Sequence, residues 1–263
     1  MYAFTLEQPT SLADAKRLTA GGAQALAGGQ TMLASMKQRL MQPEHLVDLA
    51  NVTELRGIRV EGQSVVIGAM TRHQEVANHA DVRKHIPGLA ALADGIGDRQ
   101  VRAMGTMGGS VANNDPAACY PSAVLGLGAT VHTDRRTIAA DDFFQGLYTT
   151  ALDAGELITA ISFPVPLKSA YAKFRQPASR FALVGVFVAQ TAAGVRVAIT
   201  GTGNGVFRHA GLEAALSKRF TPDAVNDVVI DASEVNGDLH ASQAYRAHLI
   251  KVQTQAAVAL ANA

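Results

Sequence analysis

A glycine-rich stretch at residues 104–121 constrains the fold of this chain more than any other part of its sequence. The stretch contains Gly105, Thr106, Gly108, Gly109, Ser110, Asn113 and Asp115 and reaches Pro116. Glycine has no Cβ atom, so its backbone can adopt positive φ angles and approach a ligand closely. Successive free N–H groups in such a turn favour an anion such as phosphate. The stretch is therefore a candidate anion-binding loop.

A second glycine pair, Gly28-Gly29, lies in the segment 27–33, which reads AGGQTML. The residues at 23–27 predict a short buried strand, and those at 31–41 predict a helix. A helix that begins just after a strand and a Gly-Gly turn offers its free N–H groups to a pyrophosphate. Both segments are also compatible with ordinary turns. The alternative is one large phosphate-bearing ligand that is held from two sides.

The composition excludes several kinds of function. The formal net charge is +1 with acidic and basic residues interspersed, so no face for nucleic acid is predicted. The single cysteine, Cys119, excludes an internal disulfide and an iron–sulfur cluster held by four cysteines of this chain. The eight histidines show no metal-ligand spacing, so no metal site is predicted.

The apolar segments are short and interrupted by Gly, Asp or Lys. None approaches the roughly 20 residues that a spanning helix needs. The N-terminal residues show neither the basic nor the apolar region of a signal peptide. We therefore expect a cytoplasmic protein without a membrane span.

A Pro-x-Pro sequence at 164–166 marks the predicted domain boundary. Before it, short strands alternate with helices. Beyond it, the pattern predicts long antiparallel strands at 181–191 and 195–200 and a final helix over 241–262. The predicted domains are residues 1–166, with subdomains of about 1–53 and 54–166, and residues 167–263.

A rival phosphate loop, Gly-Thr-Gly-Asn-Gly, lies at 201–205. It resembles the start of a dinucleotide-binding fingerprint, but the third glycine of that pattern would stand where Val206 is. A glycine-rich turn that leaves an antiparallel sheet is therefore the favoured interpretation. The chain also has no Gly-x-Ser-x-Gly motif and no other nucleophile–base pattern. No catalytic residue is predicted, and redox chemistry would belong to a bound cofactor.

The two glycine segments together resemble a known family. Segments 27–33 and 102–117 are similar to the FAD-binding (medium) subunit of the molybdenum hydroxylases, the xanthine dehydrogenase and carbon monoxide dehydrogenase type. Segments 170–176 and 245–252 look like the C-terminal domain of that family, so the resemblance covers almost the whole chain. It implies an α+β fold, in which a two-part FAD-binding module of the vanillyl-alcohol-oxidase type precedes a smaller domain of antiparallel strands and helices.

The resemblance implies non-covalent FAD, with the diphosphate held between both glycine segments. Leu157 and Ile158 match positions that lie against the adenine or ribose. The strand at 173–175 would approach the flavin, with Arg175 as its polar contact, and Phe181 would lie near the isoalloxazine. The residues implied to bind FAD are Leu26, Ala27, Gly28, Gly29, Gln30, Thr31, Met32, Leu33, Ile96, Gly105, Thr106, Gly108, Gly109, Ser110, Asn113, Asp115, Leu157, Ile158, Arg175 and Phe181.

The resemblance also implies partners and a role. A large partner would carry the molybdenum cofactor and oxidise a small molecule, and a small partner with 2Fe-2S clusters would pass electrons to FAD on this chain. The chain would be an oxidoreductase subunit that reduces an external acceptor (NAD⁺, oxygen, a quinone or another carrier), within a dimer of heterotrimers. Two alternatives remain open: a free-standing FAD-dependent oxidoreductase and a non-catalytic assembly subunit that has lost FAD.

Two positions depart from the family pattern. Relatives often have an acid at the position of Cys119, where it contacts the sugar-alcohol chain of the flavin. A small packed residue is the favoured interpretation of Cys119. Either Asp115 or Asn114 compensates for the lost contact, or the contact is absent. Arg180-Phe181 stands where an acid–aromatic pair is common, so flavin shielding or acceptor choice can differ.

Overall fold

The computed structural model describes residues 1–263. Its strands form three sheets and one small hairpin, and helices pack against them. The strands are β1 (Thr5–Glu7), β2 (Gln24–Leu26), β3 (His45–Asp48), β4 (Ile58–Glu61), β5 (Ser64–Gly68), β6 (Thr130–Thr133), β7 (Thr137–Ala139), β8 (Phe144–Gly146), β9 (Thr149–Thr150), β10 (Ile158–Pro164), β11 (Lys168–Arg175), β12 (Ala182–Thr191), β13 (Gly194–Thr200) and β14 (Phe207–Arg208). The α-helices are α1 (Leu12–Ala20), α2 (Met32–Lys37), α3 (His73–Asn78), α4 (Ala80–His85), α5 (Pro87–Asp94), α6 (Arg99–Met104), α7 (Met107–Asn113), α8 (Tyr120–Gly126), α9 (Ala140–Phe143), α10 (Ala210–Lys218) and α11 (Gln243–Asn262). Short 3₁₀ turns lie at Leu49–Asn51, Thr53–Leu55, Pro222–Val225 and Ala232–Glu234. The predicted α+β fold class is confirmed.

The first sheet is parallel, with the order β1–β3–β2, and it carries the first glycine turn. β2 leads through that turn into α2, so the predicted strand–turn–helix unit is present. The helix ends before the predicted residue 41 because Arg39 adopts a left-handed φ of 62°. The N–H of Leu40 then donates to the carbonyl of Ser35, which is a common way for a helix to end.

The second sheet is antiparallel, with the order β4–β5–β10–β6–β7, and it shares a core with α3, α5, α7 and α8. Part of the predicted loop at 105–109 is helical here, because Thr106 is the N-cap of α7. Its Oγ1 accepts a hydrogen bond from the N–H of Gly109 at 3.2 Å. Packing explains the glycine inside this first turn, since a Cβ on Gly108 would lie 2.5 Å from the Cβ of Ala69.

The C-terminal sheet, with the order β11–β12–β13–β14, is the middle layer of the molecule. Along β12, Phe187 and Ala189 belong to the core that includes the second sheet. Val186 and Val188 belong to the core that includes α10 and α11. Alternation with period two therefore buries both faces of this strand. The long antiparallel strands predicted at 181–191 and 195–200 are confirmed.

The final helix, α11, covers the C-terminal sheet through Ile250, Thr254 and Val258, which are fully buried. Its spacing of four residues between these side chains places them on one face of the helix. No helix of the chain combines the length and the apolar character that crossing a membrane requires.

One core crosses the predicted domain boundary at residue 166. The boundary lies between β10 and β11, but the largest core cluster includes Phe163 before it and Tyr171 after it. The predicted subdomain boundary near residue 53 falls at the 3₁₀ turn Thr53–Leu55. The division into residues 1–53, 54–166 and 167–263 stays a prediction.

Replacement of Gly88 tests the contact between α5 and β11. A Cβ on Gly88 would lie 2.9 Å from backbone atoms of Ala170. We expect Gly88→Ala to destabilise the chain by about 2 kcal/mol because overpacking forces the backbone apart. Thermal unfolding should show a Tm lower by roughly 5 °C. Gly203→Ala is the matched control, since its Cβ would meet nothing closer than 3.8 Å. Equal melting temperatures for the two variants would contradict this account.

Candidate functional site

A deep cleft of about 800 Å³ lies between the first sheet and the second glycine segment, with one wall from the C-terminal sheet. A volume of this size suits a cofactor, since ligand pockets span about 300–1,000 Å³. All but two of the residues that the sequence implied for FAD line it. These are Leu26, Ala27, Gly28, Gly29, Gln30, Thr31, Met32, Ile96, Gly105, Thr106, Gly108, Gly109, Ser110, Asn113, Asp115, Leu157, Ile158 and Phe181. The exceptions are Leu33 and Arg175, and the binding role of each residue stays a prediction.

The first glycine turn presents a run of unused hydrogen-bond donors to the cleft. None of the five backbone N–H groups of residues 28–32 donates a hydrogen bond within the protein. All five residues line the cleft. A run of N–H groups without a partner in the protein favours an anion. The turn is therefore built to hold a phosphate-type group from its backbone.

Glycine is required at both positions of this turn, for two different reasons. A Cβ on Gly28 would overlap the carbonyl oxygen of Met104 and lie 2.8 Å from the Cα of Gly105. Gly29 has a left-handed φ of 70°. Leu33 does not line the cleft because its side chain lies over Gly29. Its Cδ1 would be 2.7 Å from a Cβ on that glycine. Leu33 thus packs against the turn.

The second glycine segment offers space rather than N–H donors. The N–H of Gly108 already donates to the carbonyl of Ala69 at 2.8 Å, and that of Gly109 donates to Thr106 Oγ1. The unused polar groups here are the side chains of Ser110 and Asn113, which line the cleft and make no hydrogen bond within the protein. The sequence suggested two similar anion loops. In the structure the first segment has free N–H groups, whereas the second has free side chains.

Asn114 has a structural role: its side-chain amide binds backbone carbonyls, and the residue does not line the cleft. It is fully buried with a left-handed φ of 43°. Its Nδ2 donates to the carbonyls of Gly146 and Thr149, both at 2.8 Å. These bonds hold the β8–β9 hairpin against the end of α7. Asp115, in contrast, lines the cleft and accepts hydrogen bonds from Tyr148 and the N–H of Ala117.

His73 lies against the second glycine segment and is a cleft residue that the sequence did not indicate. It is 5% exposed, and its Nδ1 has no hydrogen-bond partner. A Cβ on Gly105 would lie 2.5 Å from its Nε2, so the ring packs directly on the glycine backbone. Burial, together with the charge of Arg102, lowers the pKa of His73 to about 4. The imidazole is therefore neutral at neutral pH.

β11 presents Lys173, and not Arg175, to the cleft. Residues two apart in a regular strand share a face, and this spacing would place both side chains there. However, the pairing of β11 with β12 shifts between Phe174 and Arg175. A β-bulge of this kind breaks the alternation of side chains, and Arg175 is exposed outside the cleft lining. A single sequence gives no signal for the bulge.

The Lys173 region, defined here as Ile96, Gly97, Lys173, Ser179, Arg180 and Phe181, forms the wall of the cleft next to the C-terminal sheet. The Nζ of Lys173 donates to the carbonyls of Gly95 at 2.8 Å and Arg180 at 3.0 Å. It also lies 3.4 Å from the Sγ of Cys119. Cys119 is 5% exposed, as expected for a packed residue, and it also contributes to the cleft lining.

The Gly155 region, defined here as Thr19, Ala20 and residues 153–158, forms another wall of the cleft. Thr19 Oγ1 donates to the carbonyl of Gly155 at 3.0 Å, which joins α1 to this segment. Burial raises the pKa of the Glu156 carboxyl, but hydrogen bonds from Arg136, the N–H of Asp153 and Thr133 outweigh it and lower the pKa to about 2. Glu156 is thus a fixed, fully partnered anion that shapes the wall.

The rival loop at 201–205 does not line the cleft. The N–H of Gly201 donates to the carbonyl of Pro116 at 2.7 Å, and its own carbonyl accepts a hydrogen bond from the buried guanidinium of Arg246. The loop therefore fastens the C-terminal sheet to the segment after α7. The structure agrees with its interpretation as a glycine-rich turn.

Comparison with known proteins agrees with this geometry. A family model described as FAD binding domain in molybdopterin dehydrogenase matches residues 2–166. The carbon monoxide dehydrogenase medium chain of Hydrogenophaga pseudoflava is 35% identical over 264 residues, which cover 92% of this chain and 91% of the relative. The glyceraldehyde dehydrogenase medium chain of Sulfolobus acidocaldarius is 32% identical and covers 97% of this chain and 96% of its own.

A solved structure supports the same relationship in three dimensions. It is the carbon monoxide dehydrogenase from Hydrogenophaga pseudoflava that lacks the Mo-pyranopterin moiety of the molybdenum cofactor. One of its chains superimposes with a TM-score of 0.91 and 33% sequence identity. The match covers 99% of this chain and 97% of that chain.

His73 should make the chain sensitive to mild acid. Its pKa in the folded chain is about 4, below the ordinary value of 6.5. Its stabilising effect is therefore complete above pH 6.5 and is lost as the pH falls towards 4, by a total of about 3 kcal/mol. Denaturant unfolding between pH 7 and pH 4 should show a flatter pH dependence for His73→Phe than for wild type. The exposed-site control His240→Gln should keep the wild-type slope. An unchanged slope in His73→Phe would refute the assignment.

Gly109→Val should weaken FAD binding by about a hundredfold or more. A Cβ on Gly109 would lie 3.1 Å from the Cβ of Ala27, and a branched side chain would push the two glycine segments apart. The measurement is the FAD dissociation constant from flavin fluorescence, with circular dichroism to confirm folding. Gly203→Val, in a turn outside the cleft, is the control. Undiminished affinity in Gly109→Val would place the diphosphate elsewhere.

Proposed function

Because the chain belongs to the family of FAD binding domains in molybdopterin dehydrogenases, we propose that it is the electron-transfer subunit of a multi-subunit molybdenum hydroxylase. The observation that carries the proposal is the first glycine turn. Its five N–H groups make no hydrogen bond within the protein, all five residues line a cleft of about 800 Å³, and no residue of this turn carries a formal charge. A diphosphate between two long arms is the ligand that such a cradle fits.

The chain's own residues divide into an anchor and a closing wall. The N–H groups of residues 28–32 would hold the diphosphate, since a run of free N–H groups favours such an anion without a side-chain cation. Ser110 and Asn113 supply further hydrogen bonds from the opposite side. Gly108 and Gly109 keep that side close enough to contact the ligand. The pocket residues fit FAD in both shape and donor chemistry.

The two remaining regions of the cleft take the two arms of FAD. The Gly155 region, with Leu157 and Ile158, holds the adenosine, whose hydroxyls can donate to the exposed carboxylate of Asp153. The Lys173 region holds the isoalloxazine, since Ile96 and the half-exposed ring of Phe181 offer apolar surface to a flat ring. Bound FAD supplies the redox chemistry, which consists of storing two electrons that arrive singly.

Partner chains supply the rest of the reaction. The relatives are named as medium chains of dehydrogenases, and this chain has one cysteine and no catalytic dyad. Substrate oxidation at a molybdenum cofactor therefore takes place on a large partner. A small partner with 2Fe-2S clusters delivers the electrons, and the complex is a dimer of such heterotrimers. Bound FAD would supply the chemistry by which an external acceptor is reduced.

The test is purification of the tagged chain, alone and from cells that contain its neighbouring reading frames. Alone, the chain should bind FAD in equal amount and turn over no organic substrate. In the complex, iron and molybdenum should co-purify, and the flavin should be reduced when the substrate of the complex is added. The control is Gly109→Val, which should capture the partners without flavin.

Two outcomes would contradict the proposal. Turnover of an organic substrate by the isolated chain, without iron or molybdenum, would indicate a free-standing oxidoreductase. A complex that assembles without FAD on the wild-type chain would indicate an assembly subunit.

A further inference from the structure

Three positive side chains lie at the end of β11 and in the turn that follows it: Lys173 and Arg175 in the strand, and Arg180 in the turn. The ion pairs of the chain include none of them. Lys173 and Arg180 line the cleft, whereas Arg175 lies beyond the β-bulge and does not. One wall of the cleft therefore carries two positive charges without a counter-charge.

The carboxylates that line the cleft form hydrogen bonds or ion pairs with residues other than Lys173 and Arg180. Asp115 accepts hydrogen bonds from Tyr148 and from the N–H of Ala117. Glu156 and Asp153 both pair with Arg136, at 2.9 Å and 3.4 Å. None of them lies within ion-pair distance of Lys173 or Arg180, so no carboxylate of the cleft neutralises these two charges directly.

We infer that Lys173 and Arg180 form a positive pole that stabilises the negative charge of reduced FAD, so that this chain favours the two-electron-reduced flavin. The inference rests on the proposed function, because it places the isoalloxazine in the Lys173 region. Reduction adds two electrons and one proton to the neutral ring and leaves it with one negative charge. The electrons come from the iron–sulfur clusters of the small partner, and the proton comes from the solvent.

Hydrogen bonds within the protein already fix the positions of Lys173 and Arg180. The Nζ of Lys173 is fixed by the carbonyls of Gly95 and Arg180. The Arg180 backbone is fixed in turn by a hydrogen bond to the carbonyl of Gln176 at 2.8 Å, and its Nη1 donates to the carbonyl of Gly97 at 3.3 Å. Charges that are already oriented stabilise a developing charge without further reorganisation.

The tests use sulfite as the probe, on the full-length chain loaded with FAD. Sulfite adds to the oxidised ring as an anion and leaves negative charge on it, so its affinity reports the local field without turnover. Removal of one cation several ångströms away should weaken binding by about tenfold after screening. We therefore expect Arg180→Gln to raise the sulfite dissociation constant about tenfold, and Arg180→Asp to raise it further. The midpoint potential of the flavin should fall in the same variants, because the reduced ring carries the negative charge that the cation stabilises.

Arg175→Gln is the matched control. It removes the same charge from the same hairpin but from outside the cleft, so its sulfite affinity should stay within about twofold of wild type. Equal changes in Arg175→Gln and Arg180→Gln, or no change in either, would overturn the inference, because net charge or nothing would then be responsible.

Lys173 gives a second, independent arm of the test. Lys173→Gln should also weaken sulfite binding about tenfold, while Lys173→Arg keeps the charge and should restore most of the affinity. If Lys173→Gln loses FAD because the bonds to Gly95 and Arg180 are gone, the Arg180 variants alone decide. A wild-type chain that binds no FAD would refute the proposed function. A chain that binds FAD, with Arg180→Gln unchanged in sulfite affinity, would refute only the positive pole.

Discussion

The contact between Gly28 and the end of α6 determines the shape of the whole cleft. Two backbones touch there with no side chain between them, since a Cβ on Gly28 would overlap the carbonyl of Met104. The contact brings the first glycine turn against the start of α7, and the five N–H groups of residues 28–32, which line the cleft, have no hydrogen-bond partner in the protein. The neutral ring of His73 supports the opposite side, where Gly105 lies directly over it. The anion cradle and the walls around it follow from this one approach.

Glycine spacing and strand patterns allowed much of the architecture to be predicted from the sequence. Gly28 and Gly29 marked the first turn because a strand and a helix flank it, and both are present in the structure. The antiparallel strands after residue 166 were visible as long apolar runs, and β12 is indeed buried on both faces. Most of the cleft lining came from the resemblance to a family rather than from periodicity, since loops that line a ligand have no repeating pattern.

The parts that the sequence did not predict depend on contacts between distant segments. The helix α7 was missed because Gly108 and Gly109 lower helix propensity, while packing against Ala69 keeps them in a helical turn. The resemblance implied Arg175 as a polar contact of the flavin, whereas Lys173 is the residue of β11 that lines the cleft, because a β-bulge that the order of residues does not reveal lies before Arg175. His73 gave no signal at all, since its position in the cleft depends on the glycine segment that folds over it.

The cleft presents two kinds of polar group, main-chain N–H groups and charged side chains, and substitutions affect them differently. The anchor at residues 28–32 uses main-chain N–H groups, which every residue except proline provides, so substitutions at Gln30, Thr31 or Met32 leave its donors in place. The wall at Lys173 and Arg180 uses side chains, and a single codon change there alters the charge beside the ligand. If the flavin lies at this wall as proposed, relatives of this chain can differ in redox behaviour while they keep the same cofactor, and those differences would lie at the end of β11 and in the turn that follows it.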